Sequence, residues 1–367
     1  MRKYRLRIGL DVDDTLYECN AYALDLLRRE KGAETPYDLN LIATWGRTGG
    51  VIDERLKYFE DPAFVRTQPI LAGAQAFVRA LAEFCDVFFI TAVPPACMSA
   101  RAERLRVDFP EVPAENILIG TRKDIVDLDV LLDDGAHNVT ASRASYPVLL
   151  RRPWNNDLSG LLSVNGYDDF LHLCEMIADS YTERKPHLAK GGVLCLVGAT
   201  GTGKTEIARA LVGDDRFYKP VTTTTRPRLP GEADDQYRFV DKARFLAERE
   251  AGRFLETTVY GTHFFGTTIA EFGQVDEGKI AVVPIDICGA VTLKNRFRGR
   301  VALVFTTADK RHILANILAR RVTDEEKINR LMSLDLEMRN MELCDFAVDI
   351  DQGVDACVRR IYEALDL

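Results

Sequence analysis

Short apolar runs alternate along the chain with longer segments in which apolar side chains recur every three or four residues. In the first half of the chain, the apolar runs predict buried β-strands at residues 6–10, 87–90, 117–119, 130–132 and 148–149. The periodic segments predict amphipathic helices that include residues 21–31, 74–84 and 99–107. Strands that alternate with helices usually form a mostly parallel sheet, so this half is predicted to be a doubly wound α/β domain.

A second series of the same kind begins after residue 191. Its strands are predicted at residues 193–197, 280–285 and 301–305, and its last helix at 354–366. Between the two series, a predicted helix at 170–181 is followed by a charged stretch that contains the helix breaker Pro186. The chain of 367 residues also exceeds the roughly 250–300 residues at which single cores stop growing. We therefore expect one domain over residues 1–180, a linker over 181–191 and a second domain over 192–367.

The composition narrows the class of protein. The chain is 47% hydrophobic and 28% charged, and its net charge of −8 argues against a broad basic surface for nucleic acid. It contains no run of 18 apolar residues and no signal-type apolar segment near its start. The eight cysteines include no CxxC pair, which suits buried thiols in a reducing compartment. These features predict a cytoplasmic protein with no membrane partner.

A glycine-rich loop lies between the predicted strand 193–197 and a helical stretch at 206–212. Its eight residues fit the pattern GxxxxGKT in the strand–loop–helix setting that this pattern requires. Backbone N–H groups of such a loop cradle phosphates, Lys204 is expected to reach the β and γ oxygens, and Thr205 to bind Mg²⁺. The residues predicted to bind ATP are Gly198, Thr200, Gly201, Gly203, Lys204 and Thr205.

Polar residues follow four of the predicted strands in the first domain. In chain order these residues are Asp11 and Asp13, then Thr91, then Lys123, then Asp133 and Asp134. The carboxyl ends of parallel strands meet at one edge of a sheet, where open α/β sheets bind their ligands. Each feature alone is more often a solvated loop, a cap or a surface charge, but their order favours a site that binds a cation.

The segments that carry these residues, DVDDT, ITAVP, TRKDIV and LLDDGAHN, resemble the four motifs of the haloacid-dehalogenase superfamily. Their type is closest to that of its 5′(3′)-deoxyribonucleotidases, over about residues 5–150. The resemblance implies a Mg²⁺-dependent phosphatase with a small helical cap over about residues 17–86. Four cap aromatics are candidates for stacking on a base, although such aromatics are more often core: Trp45, Tyr58, Phe59 and Phe64.

The residue types suit phosphoryl chemistry. Asp11 would be the nucleophile that forms an aspartyl-phosphate, and Asp13 would act as general acid and then as general base. Thr91 and Lys123 would hold the phosphoryl oxygens. The expected Mg²⁺ ligands are Asp11, the backbone carbonyl of Asp13, and either Asp133 or Asp134.

Two segments downstream of the glycine-rich loop resemble guanylate kinase. They are TTTTRPRLPGE at residues 222–232 and FLE followed by YGTHFFGT within residues 254–267, and the similarity extends over 192–352. It implies a P-loop nucleoside monophosphate kinase that uses ATP. By this resemblance, Arg226 and Tyr237 hold the acceptor phosphate and Glu256 and Thr222 contact the base edge. Further substrate-binding candidates are Arg228, Thr267 and Asp286, and the arginines expected to close on the transferred group are Arg320, Arg321 and Arg330.

Three positions depart from the guanylate kinase pattern. Leu229 takes the place of a phosphate-binding arginine in an ungapped alignment, Phe265 replaces a phosphate-binding tyrosine, and Pro284 replaces an acidic strand residue. These departures favour an acceptor other than standard GMP.

Two functions remain open at this point. The first is a fused nucleotide-metabolism enzyme that acts on ATP and nucleoside monophosphates, with the oligomeric state undetermined. The second is a nucleic-acid end-healing enzyme, because polynucleotide kinase/phosphatases fuse the same two activities. A 5′-hydroxyl acceptor needs a general base, and residues 221–226 after the loop contain no carboxylate. The sequence therefore favours the first function. A nucleotide-sensing scaffold would require eroded catalytic residues, and both sets are intact.

Overall fold

We describe the protein from a computed structural model. The structure describes residues 5–32, 39, 42, 51–155, 158, 160–179, 186, 188, 190–228, 237–260, 263–320 and 323–367. The chain divides into two compact units. The first comprises Met1–Asn156 and Ser163–Ala178, and the second comprises Asp157–Leu162 and Asp179–Leu367.

The first unit is built on a six-stranded parallel sheet. Its strands are β1 (Arg7–Leu10), β2 (Asp86–Thr91), β3 (Ile117–Ile119), β4 (Val130–Asp133), β5 (Tyr146–Leu150) and β6 (Ser163–Val164). The spatial order β3-β2-β1-β4-β5-β6 puts β1 in the interior of the sheet, paired in parallel with β2 and β4. The apolar run of β1 fits this position, because Ile8 and Leu10 are fully buried.

Helices pack on this sheet. They are α1 (Asn20–Lys31), α2 (Pro62–Thr67), α3 (Ala74–Phe84), α4 (Met98–Asp108), α5 (Ala136–Ala141) and α6 (Tyr167–Asp179), with a 3₁₀ helix at Val51–Glu60. α2 begins where Asp61 accepts a 2.8 Å hydrogen bond from the backbone N–H of Ala63. Phe77 of α3 stacks on Tyr167 of α6, with ring centroids 4.3 Å apart.

The second unit contains two sheets. Its strands are β7 (Gly192–Val197), β8 (Phe217–Tyr218), β9 (Thr222–Thr224), β10 (Tyr237–Phe239), β11 (Phe254–Tyr260), β12 (His263–Thr268), β13 (Ile280–Pro284), β14 (Val301–Thr307) and β15 (Phe346–Asp349). The parallel sheet has the order β15-β14-β7-β13-β8, and the mixed sheet has the order β10-β9-β12-β11. The hydrophobic pattern does not predict the mixed sheet, because β9 is a run of three threonines.

Seven helices in the described part of the second unit surround these sheets. They are α7 (Lys204–Leu211), α8 (Lys242–Glu250), α9 (Gly273–Asp276), α10 (Ile287–Phe297), α11 (Lys310–Ala319), α12 (Asp324–Arg339) and α13 (Val354–Leu365). Leu194 and Leu196 of β7 pack in one core with Ile207 of α7 and Ile361 of α13. The α/β fold class expected from the sequence is confirmed, and most predicted strands agree with the structure to within two residues. Within the described ranges, no helix is both long and apolar enough to cross a membrane.

Candidate active sites of the two units

The loop after β1 is held at the carboxyl edge of the first sheet. The backbone N–H of Asp11 donates a 2.8 Å hydrogen bond to the carbonyl of Leu132 in β4. Asp14 has a left-handed φ of 53°, which is uncommon outside glycine. Its carboxylate accepts hydrogen bonds of 3.0 Å from the backbone N–H groups of Cys19 and Asn20. Asp14 therefore stabilises the turn that follows Asp11. The last aspartate of the DVDD motif thus has a structural role.

Lys123 joins two of the clustered carboxylates. Its Nζ lies 2.7 Å from Asp11 Oδ1 and 2.7 Å from Asp133 Oδ2, and all three side chains are buried. Burial alone lowers the pKa of Lys123, but the two carboxylates raise it above its usual value, so the amine stays charged. Burial raises the pKa of Asp11 to about 7; the charge of Asp133 adds to this shift and Lys123 opposes it.

The adjacent aspartates at the end of β4 have different surroundings. Asp133 Oδ1 accepts hydrogen bonds from the backbone N–H of Gly135 at 2.8 Å and from Asn138 Nδ2 at 3.0 Å, while Oδ2 accepts from Lys123. Both oxygens of Asp133 are thus engaged. Asp134 Oδ2 accepts a 2.8 Å hydrogen bond from Trp154 Nε1, and Asp134 lines the cavity described below.

Three carboxylates at this edge form a donor set that fits Mg²⁺. One oxygen each of Asp11, Asp133 and Asp134 lies within 4.8 Å of the others. Burial and the charges of Asp11 and Asp133 raise the pKa of Asp134 well above its usual value. Such a cluster of carboxylates favours a bound cation, and oxygen-only ligands are those that Mg²⁺ takes in proteins.

Two donors hold Asp13 through the same oxygen. Gln68 Nε2 lies 3.0 Å and an Arg101 terminal nitrogen 2.6 Å from Asp13 Oδ1. Gln68 and Arg101 are buried and the side chain of Asp13 is 27% exposed, and all three residues line the cavity described below.

Thr91 ends β2 and is fully buried. Its Oγ1 has no hydrogen-bond partner among the described residues. Buried hydroxyl groups are normally paired, so an unpaired one beside the cavity-lining residues Ala92 and Val93 suits the predicted contact with a phosphoryl oxygen.

A cavity of about 510 Å³ opens over these residues. Asp11, Asp13, Lys123 and Asp134 are among its polar lining residues. Of the aromatic candidates for base stacking, Phe59 and Phe64 line the cavity, and Trp45 lies outside the described residues. Phe64 also stacks on Tyr22 and Tyr58, with centroids 5.3 and 6.2 Å away, so it belongs equally to the core of the cap.

In the second unit, the glycine-rich loop connects β7 to α7. Gly203 precedes α7 with a φ of 76°, and a Cβ there would lie 2.5 Å from Ile350, so the position requires glycine. The hydroxyl groups of Thr202 and Thr306 are 2.7 Å apart and tie the loop to β14. The loop is thereby fixed at the carboxyl edge of the parallel sheet, with α7 beginning directly behind it.

Lys204 points back into this loop. Its Nζ donates hydrogen bonds to the carbonyls of Gly198 and Ala199, the latter at 2.7 Å. Burial lowers the pKa of Lys204 to about 8, and the nearby charges of Arg320 and Arg330 contribute. An anionic phosphate at this position would raise the pKa of the amine toward its ordinary value.

Two of the three arginines predicted to contact the transferred phosphoryl group lie among the described residues. Arg330 is buried, and its guanidinium donates a 3.1 Å hydrogen bond to Thr200 Oγ1 in the loop. Arg320 is exposed and lines the cavity of the second unit that is described in the next paragraph. Arg321 lies outside the described residues, as does Leu229.

Four predicted acceptor residues form one row across the mixed sheet. In register from β10 to β11 they are Tyr237, Thr222, Thr267 and Glu256. All four line a cavity of about 700 Å³ that the residues of the glycine-rich loop also line. Burial raises the pKa of Glu256 to about 7, and the charge of Asp286 adds to the shift. Asp286 lines the cavity too, accepts a hydrogen bond from Thr258, and caps α10.

The two arginines of the TTTTRPR segment lie elsewhere. Arg226 stacks over Tyr237 and Phe239, 5.3 and 5.7 Å from their ring centroids. Arg228 is exposed and stacks over Phe239 at 4.8 Å. Tyr237 lines the cavity among the described residues, but neither arginine does. Their predicted contacts with the acceptor phosphate therefore stay predictions.

Comparison with known proteins finds a matching family for each half of the chain. Residues 190–366 match the family model of guanylate kinase, and residues 8–180 match a model described as 5′ nucleotidase, deoxy (pyrimidine), cytosolic type C. The guanylate kinase of Helicobacter hepaticus is 32% identical over 179 residues, which cover 47% of this chain and 90% of that enzyme. The chain belongs to the guanylate kinase family. Its guanylate kinase domain follows a domain of the 5′-nucleotidase type, which confirms both resemblances seen in the sequence and makes the chain a phosphatase joined to a kinase.

Two solved structures are similar to parts of the chain. Guanylate kinase from Anaplasma phagocytophilum is 24% identical, covers 48% of this chain and 86% of its own, and has a TM-score of 0.39. A haloacid dehalogenase-like hydrolase from Burkholderia xenovorans is 15% identical, covers 46% of this chain and 96% of its own, and has a TM-score of 0.33.

The motifs did not reveal every residue at these sites. Gln68, Arg101 and Trp154 contact the clustered aspartates of the phosphatase domain, and none belongs to the four motifs. Only the position of Arg101 on its helix could have indicated a role for it. Arg101 lies on the buried face of α4 with Ala100 and Leu105. A charged residue on an otherwise apolar helix face usually has a specific partner.

Proposed function

We propose that the chain is a bifunctional enzyme of nucleotide metabolism. The first domain would hydrolyse (deoxy)nucleoside 5′-monophosphates with Mg²⁺, and the guanylate kinase domain would transfer the γ-phosphate of ATP to a (deoxy)nucleoside monophosphate. The observation that carries the kinase proposal is the row from Tyr237 to Glu256, which faces the same cavity as the ATP-binding loop. The phosphatase proposal rests on the contact of Lys123 with Asp11 beside two further aspartates.

The phosphatase reaction would proceed in two steps at the edge of the sheet. In the first, an Asp11 oxygen attacks phosphorus, the bond from phosphorus to the nucleoside oxygen breaks, and Asp13 gives its proton to that oxygen. In the second, Asp13 takes a proton from water, the water oxygen attacks phosphorus, and the bond to Asp11 breaks to release phosphate. Lys123 and Thr91 would hold the phosphoryl oxygens throughout.

The metal would be held by Asp11, the backbone carbonyl of Asp13 and Asp134. We assign Asp134 in preference to Asp133 because both oxygens of Asp133 already accept hydrogen bonds. A bound Mg²⁺ supplies positive charge that neutralises the phosphoryl group.

The kinase reaction needs positioning and charge neutralisation. Lys204 would contact the β and γ oxygens of ATP, Thr205 would hold Mg²⁺, and Arg330 and Arg320 would contact the transferred group. A monophosphate acceptor is already anionic and needs no general base. Glu256, with Thr222 and Thr267 beside it in the row, would contact the acceptor base.

One experiment tests both proposals. A panel of ribo- and deoxyribonucleoside monophosphates is incubated with and without ATP, and nucleoside, monophosphate and diphosphate are separated. Asp11→Asn should abolish nucleoside release but leave diphosphate formation, and Lys204→Ala should do the reverse. Asp127→Asn and Lys310→Ala, at side chains that are 81% and 69% exposed, are the matched controls. Chelation of Mg²⁺ should stop both reactions.

Three outcomes would contradict the proposal. Loss of both activities in either folded variant would mean that the two sites are not separate. Inactivity of the wild-type chain on the whole panel would show that nucleoside monophosphates are not its substrates. Transfer of phosphate to the 5′-hydroxyl of an oligonucleotide, without diphosphate formation, would instead support end healing.

A further inference from the structure

The carboxylate of Asp13 is fixed by side chains from two separate elements. Gln68 follows α2 in the cap, and Arg101 lies in α4, yet both donate to Oδ1 of Asp13. Neither donor holds Oδ2. A carboxylate engaged at one oxygen from two directions loses its freedom to rotate, so the position of Oδ2 is set by these donors.

Both donors are themselves restrained. The guanidinium of Arg101 lies over the ring of Tyr17 at 5.4 Å, and the Tyr17 hydroxyl donates a 2.8 Å hydrogen bond to Asp108. The backbone carbonyl of Gln68 accepts a 3.2 Å hydrogen bond from Arg104. Side chains whose own positions are locked by packing can hold a reacting group in a defined geometry.

The exposures of the three side chains have a clear order. All three residues line the cavity, but Arg101 is only 1% and Gln68 only 2% exposed, whereas the side chain of Asp13 is 27% exposed. A buried guanidinium is costly unless it is paired. Here its ionic partner is the cavity-facing Asp13, so the buried charge restrains a group at the reaction site.

We propose that Gln68 and Arg101 are positioning residues that hold Oδ1 of Asp13 and leave Oδ2 as the oxygen that transfers the proton. The inference rests on the proposed phosphatase function and adds two residues outside its motifs. They act through Asp13 in both steps. Substrate binding by Lys123 and Thr91 does not depend on them.

The decisive comparison uses substrates with different leaving groups. A nucleoside oxygen needs a proton as it leaves, whereas 4-nitrophenolate leaves without one. Gln68→Leu should lower kcat for a nucleoside monophosphate by about 10- to 100-fold, less than the roughly 10²–10⁴-fold that a general acid–base itself contributes, with KM changed by less than about twofold. With 4-nitrophenyl phosphate, the variant should release about one equivalent of nitrophenolate in a burst and then turn over slowly, because water attack on the aspartyl-phosphate still needs Asp13.

Control variants distinguish the loss of Asp13 positioning from a general disruption of the fold. Gln75→Leu removes another glutamine of the same domain that donates a 2.9 Å hydrogen bond, to the carbonyl of Asp108, and should behave as wild type. Arg101→Lys keeps a charged donor and should retain more kcat than Arg101→Met. Thermal unfolding identifies folded variants, and Gln68→Asn, whose shorter side chain cannot reach Asp13, replaces Gln68→Leu if the latter does not fold.

The inference is overturned if folded Gln68→Leu keeps the wild-type kcat, if it raises KM alone, or if it loses the burst. The first outcome removes the positioning role, the second makes Gln68 a substrate-binding residue, and the third means that attack by Asp11 itself is impaired. Wild-type enzyme that hydrolyses neither substrate would reject the phosphatase function instead.

Discussion

Lys123 Nζ donates a 2.7 Å hydrogen bond to Asp133 Oδ2. The same amine lies 2.7 Å from Asp11, so Asp133 holds the ammonium group that contacts the proposed nucleophile. Asp134, the next residue, faces the cavity instead. We therefore propose that the two neighbouring aspartates have separate roles, Asp133 through Lys123 and Asp134 as a ligand of Mg²⁺.

Replacing each aspartate should give a different kinetic defect. Asp134→Asn should raise the Mg²⁺ concentration for half-maximal phosphatase activity by about tenfold or more, since it removes a charged ligand. Asp133→Asn should lower kcat at saturating Mg²⁺ with little shift in the metal requirement. Magnesium titrations of both variants measure this, and the reverse pattern would assign the metal to Asp133.

Glu256 should determine acceptor affinity in the kinase domain. If its carboxylate contacts a guanine-like edge, Glu256→Gln should weaken acceptor binding by about 1–3 kcal/mol, the range for a buried charge-assisted hydrogen bond. ATP binding should be unchanged. An unaltered KM for guanine nucleotides would show that Glu256 does not contact that edge.

The same residue should make stability depend on pH. The pKa of Glu256 is raised from 4.5 to about 7 in the folded chain, mainly by burial. Between these values the folded state keeps a proton that the unfolded state loses, so the free energy of unfolding decreases as pH rises. Glu256→Gln lacks this effect and should be more stable than wild type by up to about 3 kcal/mol at pH 7 and above.

Calorimetry of the kinase-domain transition between about pH 5 and pH 8 tests this directly. The difference in the free energy of unfolding between Glu256→Gln and wild type should be small near pH 5 and should grow toward neutral pH. A difference that is constant across the range would mean that Glu256 does not titrate there.

Binding of ATP should take up protons in mildly alkaline solution. The pKa of Lys204 is lowered to about 8, chiefly by burial, and bound phosphates would raise it. Affinity should therefore fall as pH rises through about 8, because binding then requires protonation of Lys204. Isothermal titration of Mg·ATP in buffers of different ionisation enthalpy measures the uptake. No uptake at about pH 8.5 would contradict the prediction.

The two domains should prefer different nucleotides. If the phosphatase removed the acceptor of the kinase, the chain would destroy its own substrate. Discrimination of tenfold requires only about 1.4 kcal/mol of differential transition-state binding. Phe265 and Pro284, which depart from the guanylate kinase pattern, both line the acceptor cavity. Measuring kcat/KM of both activities on one panel tests this, and identical rankings would refute it.

Local patterns predicted much of this molecule. The glycine-rich loop and the strand-end aspartates are recognisable because backbone geometry and strand ends are encoded within a few residues. The roles of Asp133 and Asp134 were not separable, because neighbouring residues at a strand end face different surroundings that only the fold supplies. Gln68 carried no signal, since its contact with Asp13 spans 55 residues. The row from Tyr237 to Glu256 likewise depends on the register of four strands.

The interior position of β1 has a consequence for how the nucleophile is assembled. β1 pairs with β2 and with β4, whose Leu132 lies opposite Leu10 and accepts the hydrogen bond from Asp11. Pairing of such distant segments slows folding. At ribosomal rates of roughly 5–20 residues per second, about 6–24 seconds pass between synthesis of Asp11 and of its partner in β4. Asp11, the first of the proposed catalytic residues to be synthesised, therefore waits for β4 before its backbone is held, and a nascent chain that ends before β4 should have no phosphatase activity.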